Sequence, residues 1–280
     1  CVSSRLWGLL GFAAVLKNKE KIMAFQSGIT TSANDLLDKI RLFATSVCGY
    51  EQRRFGPIDS SYLHLHLAHP ASGQIVNLRS YNGALNFYAS TSFDGTLSFG
   101  SQVVASGMIG INLMSGSAEY FLFGSHGWCY CAVQKDSTSF SLCLFGRIDK
   151  VCDFTGGAFV SSTWDSRVRA DIDGRLNRWK SDNSGLDAVY AFRSAVTREL
   201  DSTSPIAFNG VTPLYPAIVE VGCGEGYVRT LLGEAPGVRL LRMAGQYVNK
   251  DVITLGSQEW MVFNQPAGGY YSNGAYAFLK

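Results

Sequence analysis

The sequence is poor in charged residues, and the charges that it has are nearly balanced. Asp, Glu, Lys and Arg make up 16% of the 280 residues, and the formal net charge is +2. It has no dense block of Lys and Arg with interleaved aromatic residues, which is the pattern of a surface that tracks phosphates. We therefore expect no nucleic-acid partner.

A long apolar run is also lacking. The run Leu6–Leu16 is much shorter than the ~20 residues that a helix needs to cross a bilayer, so no membrane span is predicted. Charged residues follow it at 17–21 instead of a small-residue cleavage site, which makes secretion the weaker interpretation. Because the codons of Lys19 and Glu20 could form a ribosome-binding sequence just before Met23, we hypothesise that residues 1–22 are upstream sequence read in frame.

Cysteine pairs of the kind that bind metals are missing. The seven cysteines are scattered and odd in number, and no C-x2-C pair occurs, so neither a disulfide framework nor a zinc site is expected. Alternation along a strand places Cys129 and Cys131 on the same face. The prediction is reduced, buried thiols.

Aromatic residues and glycines, by contrast, are abundant. The stretches Glu119–Gln134 and Ser139–Phe145 are aromatic-rich and β-prone, and polar turns at 124–127 and 135–138 interrupt them. This pattern predicts an antiparallel meander in which cross-strand packing offsets conformational entropy.

The rest of the chain predicts one helix and many short strands. Ser32 and Asp35 form a capping-box-like start, and apolar residues recur at helical spacing to about Ser46. Strands are predicted at 62–67, 74–79 and 84–89, with an Asn82-Gly83 hairpin between the last two. Three further strands are predicted at 238–242, 252–255 and 259–263.

These elements predict a mainly β (α+β) fold: an antiparallel sandwich or barrel, one N-terminal amphipathic helix and a smaller C-terminal β unit. The expected divisions are an arm and helix at 23–48, a central β domain at 49–204 and the C-terminal unit at 205–280. The charged stretch 163–204 is interpreted as an exposed insertion, with a short helix at 186–200. Asp171 and Asp173 in this insertion match only part of a calcium loop.

Gly222, Gly224 and Gly226 follow an apolar strand, and the segment looks like the first motif of S-adenosylmethionine-dependent methyltransferases. Fewer than 60 residues follow Gly226, whereas a doubly wound domain needs further βαβ crossovers of about 30 residues each. We expect a turn between two strands, and the methyltransferase is a remote alternative. No cofactor is predicted.

His64 and His66 are weak metal candidates on one strand face, with His69 near the end of that strand. An exposed polar strand face is the favoured interpretation, so no metal is predicted. The sequence Gly-x-Ser-x-Gly does not occur. No catalytic residue is predicted, and we expect a protein that is not an enzyme.

The meander is similar to a block in a family of tailed-bacteriophage virion structural proteins of Gram-negative hosts. Met23–Ile40 resembles that family's start, and 237–243 and Asp251–Phe263 resemble its ending. The resemblance implies a structural subunit, with the tail or baseplate favoured, that assembles with copies of itself and with other virion proteins. It implies location in the virion, and in the host cytoplasm during assembly.

The alternative is a host-surface adhesin that binds glycans. Five aromatic residues are candidates to stack on sugar rings, although buried packing explains most of them equally well. They are Trp128, Trp164, Trp260, Tyr270 and Tyr271.

Overall fold

The structure is a computed structural model that describes residues 23–57, 62–103, 106, 108–162, 167–172, 175–176, 189–193, 214–223, 228–241, 247–264 and 275–280. Within 167–193 and 220–230 it describes the backbone alone. The predicted upstream extension, residues 1–22, lies outside the described residues. No helix in the described ranges is long and apolar enough to cross a membrane.

The described residues form one α-helix, a short 3-10 turn at Phe99–Ser101 and nineteen strands in two antiparallel sheets. The helix is α1 (Ala33–Ser46). The five-stranded sheet contains β2 (Glu51–Pro57), β3 (Leu63–His69), β4 (Gln74–Tyr81), β5 (Ala84–Ser90) and β6 (Ile109–Asn112), in that order. The fourteen-stranded sheet contains β1 (Ala24–Thr30), β7 (Ala118–Ser125), β8 (Trp128–Gln134), β9 (Phe140–Arg147), β10 (Asp149–Lys150), β11 (Gly156–Ser162), β12 (Arg167–Ile172), β13 (Arg175–Leu176), β14 (Val189–Arg193), β15 (Tyr215–Cys223), β16 (Val228–Leu241), β17 (Val252–Leu255), β18 (Gln258–Asn264) and β19 (Ala275–Leu279).

Helix α1 starts where its sequence predicts. The Asp35 amide donates to the Ser32 hydroxyl at 3.1 Å, and the Asp35 carboxylate accepts from the Thr31 amide at 3.0 Å. Both contacts satisfy backbone donors at the open end of the helix. The apolar stripe, which includes Leu36 and Ile40, is fully buried. The predicted amphipathic helix is therefore confirmed.

The five-stranded sheet contains the three predicted strands as β3, β4 and β5. Between β4 and β5, Asn82 and Gly83 have φ values of 47° and 75°. Two successive positive φ angles match the twist of an antiparallel pair, which is why Asn-Gly suits this hairpin. The predicted Asn-Gly turn is confirmed.

The predicted meander forms β7, β8 and β9 at the centre of the fourteen-stranded sheet. Ser125 pairs with Trp128 across the first turn, and Gln134 pairs with Phe140 across the second. The large sheet runs from β1 through this meander to β19, β18 and β17, and β1 and β17 are its two terminal strands.

Both faces of the central strands are buried, because their side chains alternate between two hydrophobic cores. The first core contains Cys129, Cys131 and Val133 of β8, together with α1 and the inner face of the five-stranded sheet. The second core contains Trp128 and Tyr130 of β8, together with side chains of β15, β16, β18 and β19. Because side chains alternate along a strand, the five-stranded sheet packs on one face of the central strands, and β15, β16, β18 and β19 pack on the other. The result is a sandwich with three layers.

The third layer exists because the large sheet folds back over its own centre. Phe123 of β7 stacks on Phe278 of β19, with ring centroids 5.1 Å apart. The Tyr130 hydroxyl donates to the Pro236 carbonyl of β16 at 2.7 Å. The described C-terminal part of the chain is thus β-rich as predicted, but its strands continue the large sheet and share its second core. The described strands form no closed barrel.

The charged stretch differs from its prediction. A helix was expected at 186–200, but Val189–Arg193 is strand β14 and pairs with β15, with Tyr190 opposite Val221. The β-prone residues Val189, Tyr190 and Phe192 complete a ladder there, and this pairing outweighs their helical spacing. Strands β12, β13 and β14 are thus paired strands of the large sheet. The remainder of that stretch lies outside the described residues.

Candidate interaction surfaces

The glycine motif lies between two paired strands. β15 ends at Cys223, which is opposite Val228, the first residue of β16. Gly222 is within β15 and opposite Arg229, while Gly224 and Gly226 lie outside the described residues. A methyltransferase cofactor turn is followed by a helix, whereas a 14-residue strand follows here. The predicted connection between two strands is confirmed.

The expectation that His64 and His66 lie on an exposed strand face is wrong. Both side chains are buried. They share one face of β3, and aromatic rings from the segment after β5 cover them: Phe99 is 5.2 Å from His64, and Phe93 is 4.8 Å from His66. Sequence spacing predicted the shared face but gave no sign of this aromatic cover.

Burial disfavours the protonated form of His66 and of His69. His66 Nδ1 and the Asn77 side-chain oxygen are 2.6 Å apart, and burial lowers the pKa of His66. His69 lies on the other face of β3, 4.8 Å from the His126 ring. Burial, with His126 and Arg147 nearby, lowers the pKa of His69 to about 4. Within the described ranges, no three His, Cys, Asp or Glu side chains are grouped so that they could hold a metal.

The partial calcium loop forms part of a strand pair. Asp171 is in β12 and lies opposite Leu176 of β13, and Ile172 lies opposite Arg175. Asp173 lies outside the described residues. The backbone around Asp171 is therefore a ladder, and a calcium loop has a different backbone path.

Four cysteines lie in the first core without disulfides, and we name them the thiol cluster: Cys48, Cys129, Cys131 and Cys143. Cys131 and Cys143 are directly opposite in the β8–β9 ladder. Burial raises the pKa of the Cys129, Cys131 and Cys143 thiols. A thiol held in this way is a poor nucleophile. For these four residues the predicted burial is confirmed, whereas for Cys152, which is exposed, it is wrong.

Two of the five aromatic residues proposed for sugar stacking are core residues. Trp128 is 1% exposed and Trp260 is 3% exposed, so neither offers a ring face to a ligand. Trp128 stacks on Tyr130 instead, at 4.5 Å. The other three, Trp164, Tyr270 and Tyr271, lie outside the described residues.

The two terminal strands of the large sheet, β1 and β17, carry no charge. Strands β1 and β17 each have one neighbouring strand in the described part of the chain, and neither contains a charged residue or a proline. Ile29 of β1 is 54% exposed, and Val252 and Leu255 of β17 are exposed too. An uncharged edge with exposed apolar side chains is a template for pairing with another strand.

The edges of the smaller sheet are different. Strand β2 carries three charged residues, and an ion pair joins Arg53 to Glu51 at 3.0 Å. Strand β6, at the opposite edge, is four residues long. Charged side chains and short strands both discourage edge-to-edge pairing. Charged side chains therefore protect β2 and are lacking on β1 and β17. Strand β17 is as short as β6, whereas β1 has seven residues and is neither charged nor short.

An open groove of about 560 Å³ lies between the start of α1, the β4–β5 hairpin and the segment after β6. We name it the polar groove, and its lining residues are 31–34, 62, 80–83 and 112–116. The Tyr62 and Tyr81 rings are 4.6 Å apart in its wall. Sequence reasoning did not select this surface, because the fold brings together four segments that are distant in the chain. The exposed Asn-Gly hairpin was the only local signal.

Comparison with models of known protein families and with curated proteins finds no match to this chain.

Proposed function

We propose that this protein is a structural subunit of a tailed-phage virion, in the tail or baseplate, that acts by self-assembly and by docking to other virion proteins. The observation that carries the proposal is the contrast between sheet edges. β1 and β17 are uncharged and partly apolar, whereas β2 is charged. The resemblance of the meander and of both terminal segments to the phage family supports the same role.

The proposed mechanism is strand addition at these edges. A strand from another subunit would pair its backbone with β1 or β17, and exposed side chains such as Ile29 and Val252 would pack against the incoming chain. Pairing of β1 with β1 gives a two-fold contact. Pairing of β1 with β17 gives a head-to-tail contact that closes into a ring or extends along an axis. The role needs no cofactor and no reacting group.

The test uses Ile29→Lys, because lysine at a sheet edge opposes strand addition. Leu42→Lys is the matched control: Leu42 is on α1, outside the strands of both sheets, and is 51% exposed against 54% for Ile29. Sedimentation velocity measures self-association over a range of concentrations, and mass spectrometry of purified particles measures incorporation. We expect Ile29→Lys to lose both and Leu42→Lys to keep both. Assembly of Ile29→Lys at wild-type levels, or absence of the wild-type chain from particles, refutes the proposal.

A further inference from the structure

The polar groove has the chemistry of a site for an uncharged, hydroxyl-rich ligand. None of its lining residues is Asp, Glu, Lys, Arg or His. A phosphate, sulfate or carboxylate ligand requires a positive partner or a set of charge-assisted donors to offset its desolvation. The groove offers amides, hydroxyls and aromatic rings instead, so an anionic ligand is disfavoured.

Two tyrosines form one wall of the groove. Tyr81 is 37% exposed, and the Arg79 guanidinium lies 4.7 Å from its ring centre. The same guanidinium lies 4.8 Å from the buried Phe99 ring, so this contact ties Tyr81 to the covered face of the sheet. A fixed aromatic ring packs against the apolar C–H face of a sugar and loses little conformational entropy, because tyrosine has few rotatable bonds.

Three asparagines supply the polar contacts. Asn34, Asn82 and Asn112 are exposed in the groove. A carboxamide has both donors and an acceptor, which suits the adjacent hydroxyl groups of a sugar ring. Neighbouring groups orient two of these amides: the buried Ser80 hydroxyl donates to the Asn34 side-chain oxygen, and the Tyr62 hydroxyl donates to that of Asn82 at 3.4 Å. Each orienting bond uses the oxygen and leaves the NH₂ group to face a ligand.

We propose that the polar groove binds a neutral oligosaccharide, with Tyr81 as the stacking platform and Asn82 and Asn112 as hydrogen-bonding residues. The groove volume of about 560 Å³ lies within the range of small-molecule sites, roughly 300–1,000 Å³. This inference goes beyond the assembly role. The groove contains no residue of β1 or β17, so its variants leave the assembly edges unchanged.

The test measures binding of the full chain to a glycan array that carries neutral oligosaccharides of glucose, galactose and N-acetylglucosamine beside sialylated and uronic-acid glycans. Calorimetry then compares variants on the best neutral glycan. Tyr81→Ala removes the platform. Asn82→Gly removes the amide but keeps the turn, because Asn82 has φ of 47° and glycine adopts positive φ without strain.

Two controls match these variants. Phe154→Ala removes a half-buried ring outside the groove that also lies under a cation, with Lys150 Nζ 4.4 Å from its centre. Lys250→Gly replaces the other non-glycine residue described with positive φ, 79°. Thermal unfolding of each variant shows that it is folded under the binding conditions.

We expect a preference for neutral glycans, with affinity at least about tenfold weaker in Tyr81→Ala and Asn82→Gly and unchanged in both controls. A tenfold loss corresponds to about 1.4 kcal/mol, the scale of one stacking or hydrogen-bonding contact. No binding to any neutral glycan, or a preference for acidic glycans, overturns the proposal. So does an affinity equal to that of the wild type in Tyr81→Ala and in Asn82→Gly. Since the edge variant Ile29→Lys retains the groove, its glycan binding separates failure of this site from failure of assembly.

Discussion

Energetic coupling between Phe123 and Phe278 tests whether the large sheet folds back on itself. These residues are 155 positions apart in sequence, belong to β7 and β19, and stack with centroids 5.1 Å apart and an interplanar angle of 23°. Both side chains are fully buried. Replacing each with leucine keeps an apolar side chain and removes the ring, so the perturbation is specific to ring contacts.

The expected magnitudes follow from this geometry. Each single substitution costs about 1–2 kcal/mol of the free energy of unfolding, as is typical for a ring replaced by a smaller apolar group in a core. An aromatic pair contributes about 0.5–1.5 kcal/mol beyond its buried area. The double variant therefore loses less than the sum of the single losses, by about that amount.

Urea denaturation followed by circular dichroism measures the four free energies of unfolding in this cycle. Phe145→Leu combined with Phe278→Leu is the control, because Phe145 is equally buried but belongs to the first core. That pair is expected to be additive within about 0.3–0.5 kcal/mol. If Phe123 and Phe278 are also additive, the C-terminal strands do not pack on the meander and the described three-layer arrangement is wrong.

Three further predictions concern backbone, pH and thiols. Gly237→Ala lowers the free energy of unfolding by about 2–4 kcal/mol, because Gly237 has φ of 70° and an added Cβ lies 2.4 Å from the Trp128 ring. The control Gly256→Ala, at φ of 60° with open space around it, lowers it by about 1–2 kcal/mol. Thermal unfolding compares the two variants, and equal losses contradict the packing at Gly237. The pKa of His69 is lowered to about 4 in the folded protein, against about 6.5 in the unfolded chain. The contribution of this group to the free energy of unfolding is therefore complete above about pH 6.5 and is lost as the pH falls towards 4, with a slope of up to about 1.4 kcal/mol per pH unit. Denaturation curves across that range show a smaller loss of stability in His69→Gln than in the wild type, and an unchanged slope rejects burial of a neutral imidazole. In peptide-resolved mass spectrometry, iodoacetamide labels the exposed Cys152 within minutes and the thiol cluster only after unfolding, while rapid labelling of the cluster in native protein contradicts its burial.

Local patterns predicted the elements that have local causes. The start of α1 depends on Ser32 and Asp35, three residues apart, and the β4–β5 turn depends on the dipeptide Asn82-Gly83. The meander was predictable because aromatic and β-branched residues with short polar turns favour consecutive antiparallel strands. The shared face of Cys129 and Cys131 follows from the period of a strand.

Features that depend on distant pairing were not predictable from such patterns. The stretch around Tyr190 had helical spacing, but β15, about thirty residues later, gives it a ladder partner. Likewise, His64 and His66 alternate with leucines, as polar residues on an exposed strand face do. In the folded protein, however, Phe93 and Phe99 cover them. Tyr62 and Asn112 meet in the polar groove only after the five-stranded sheet has formed, so no spacing in the sequence connects them.

Assembly through uncharged sheet edges is the central claim, and hydrogen exchange at β1 tests it most directly. Amides that face away from β7 have no strand partner in the described subunit and exchange quickly while the subunit is free. Comparing the free chain with purified particles by deuterium exchange, we predict strong slowing of exchange at Ala24–Thr30 or at Val252–Leu255, with little change at the charged strand β2. Equal exchange at both uncharged edges in the two states contradicts the claim.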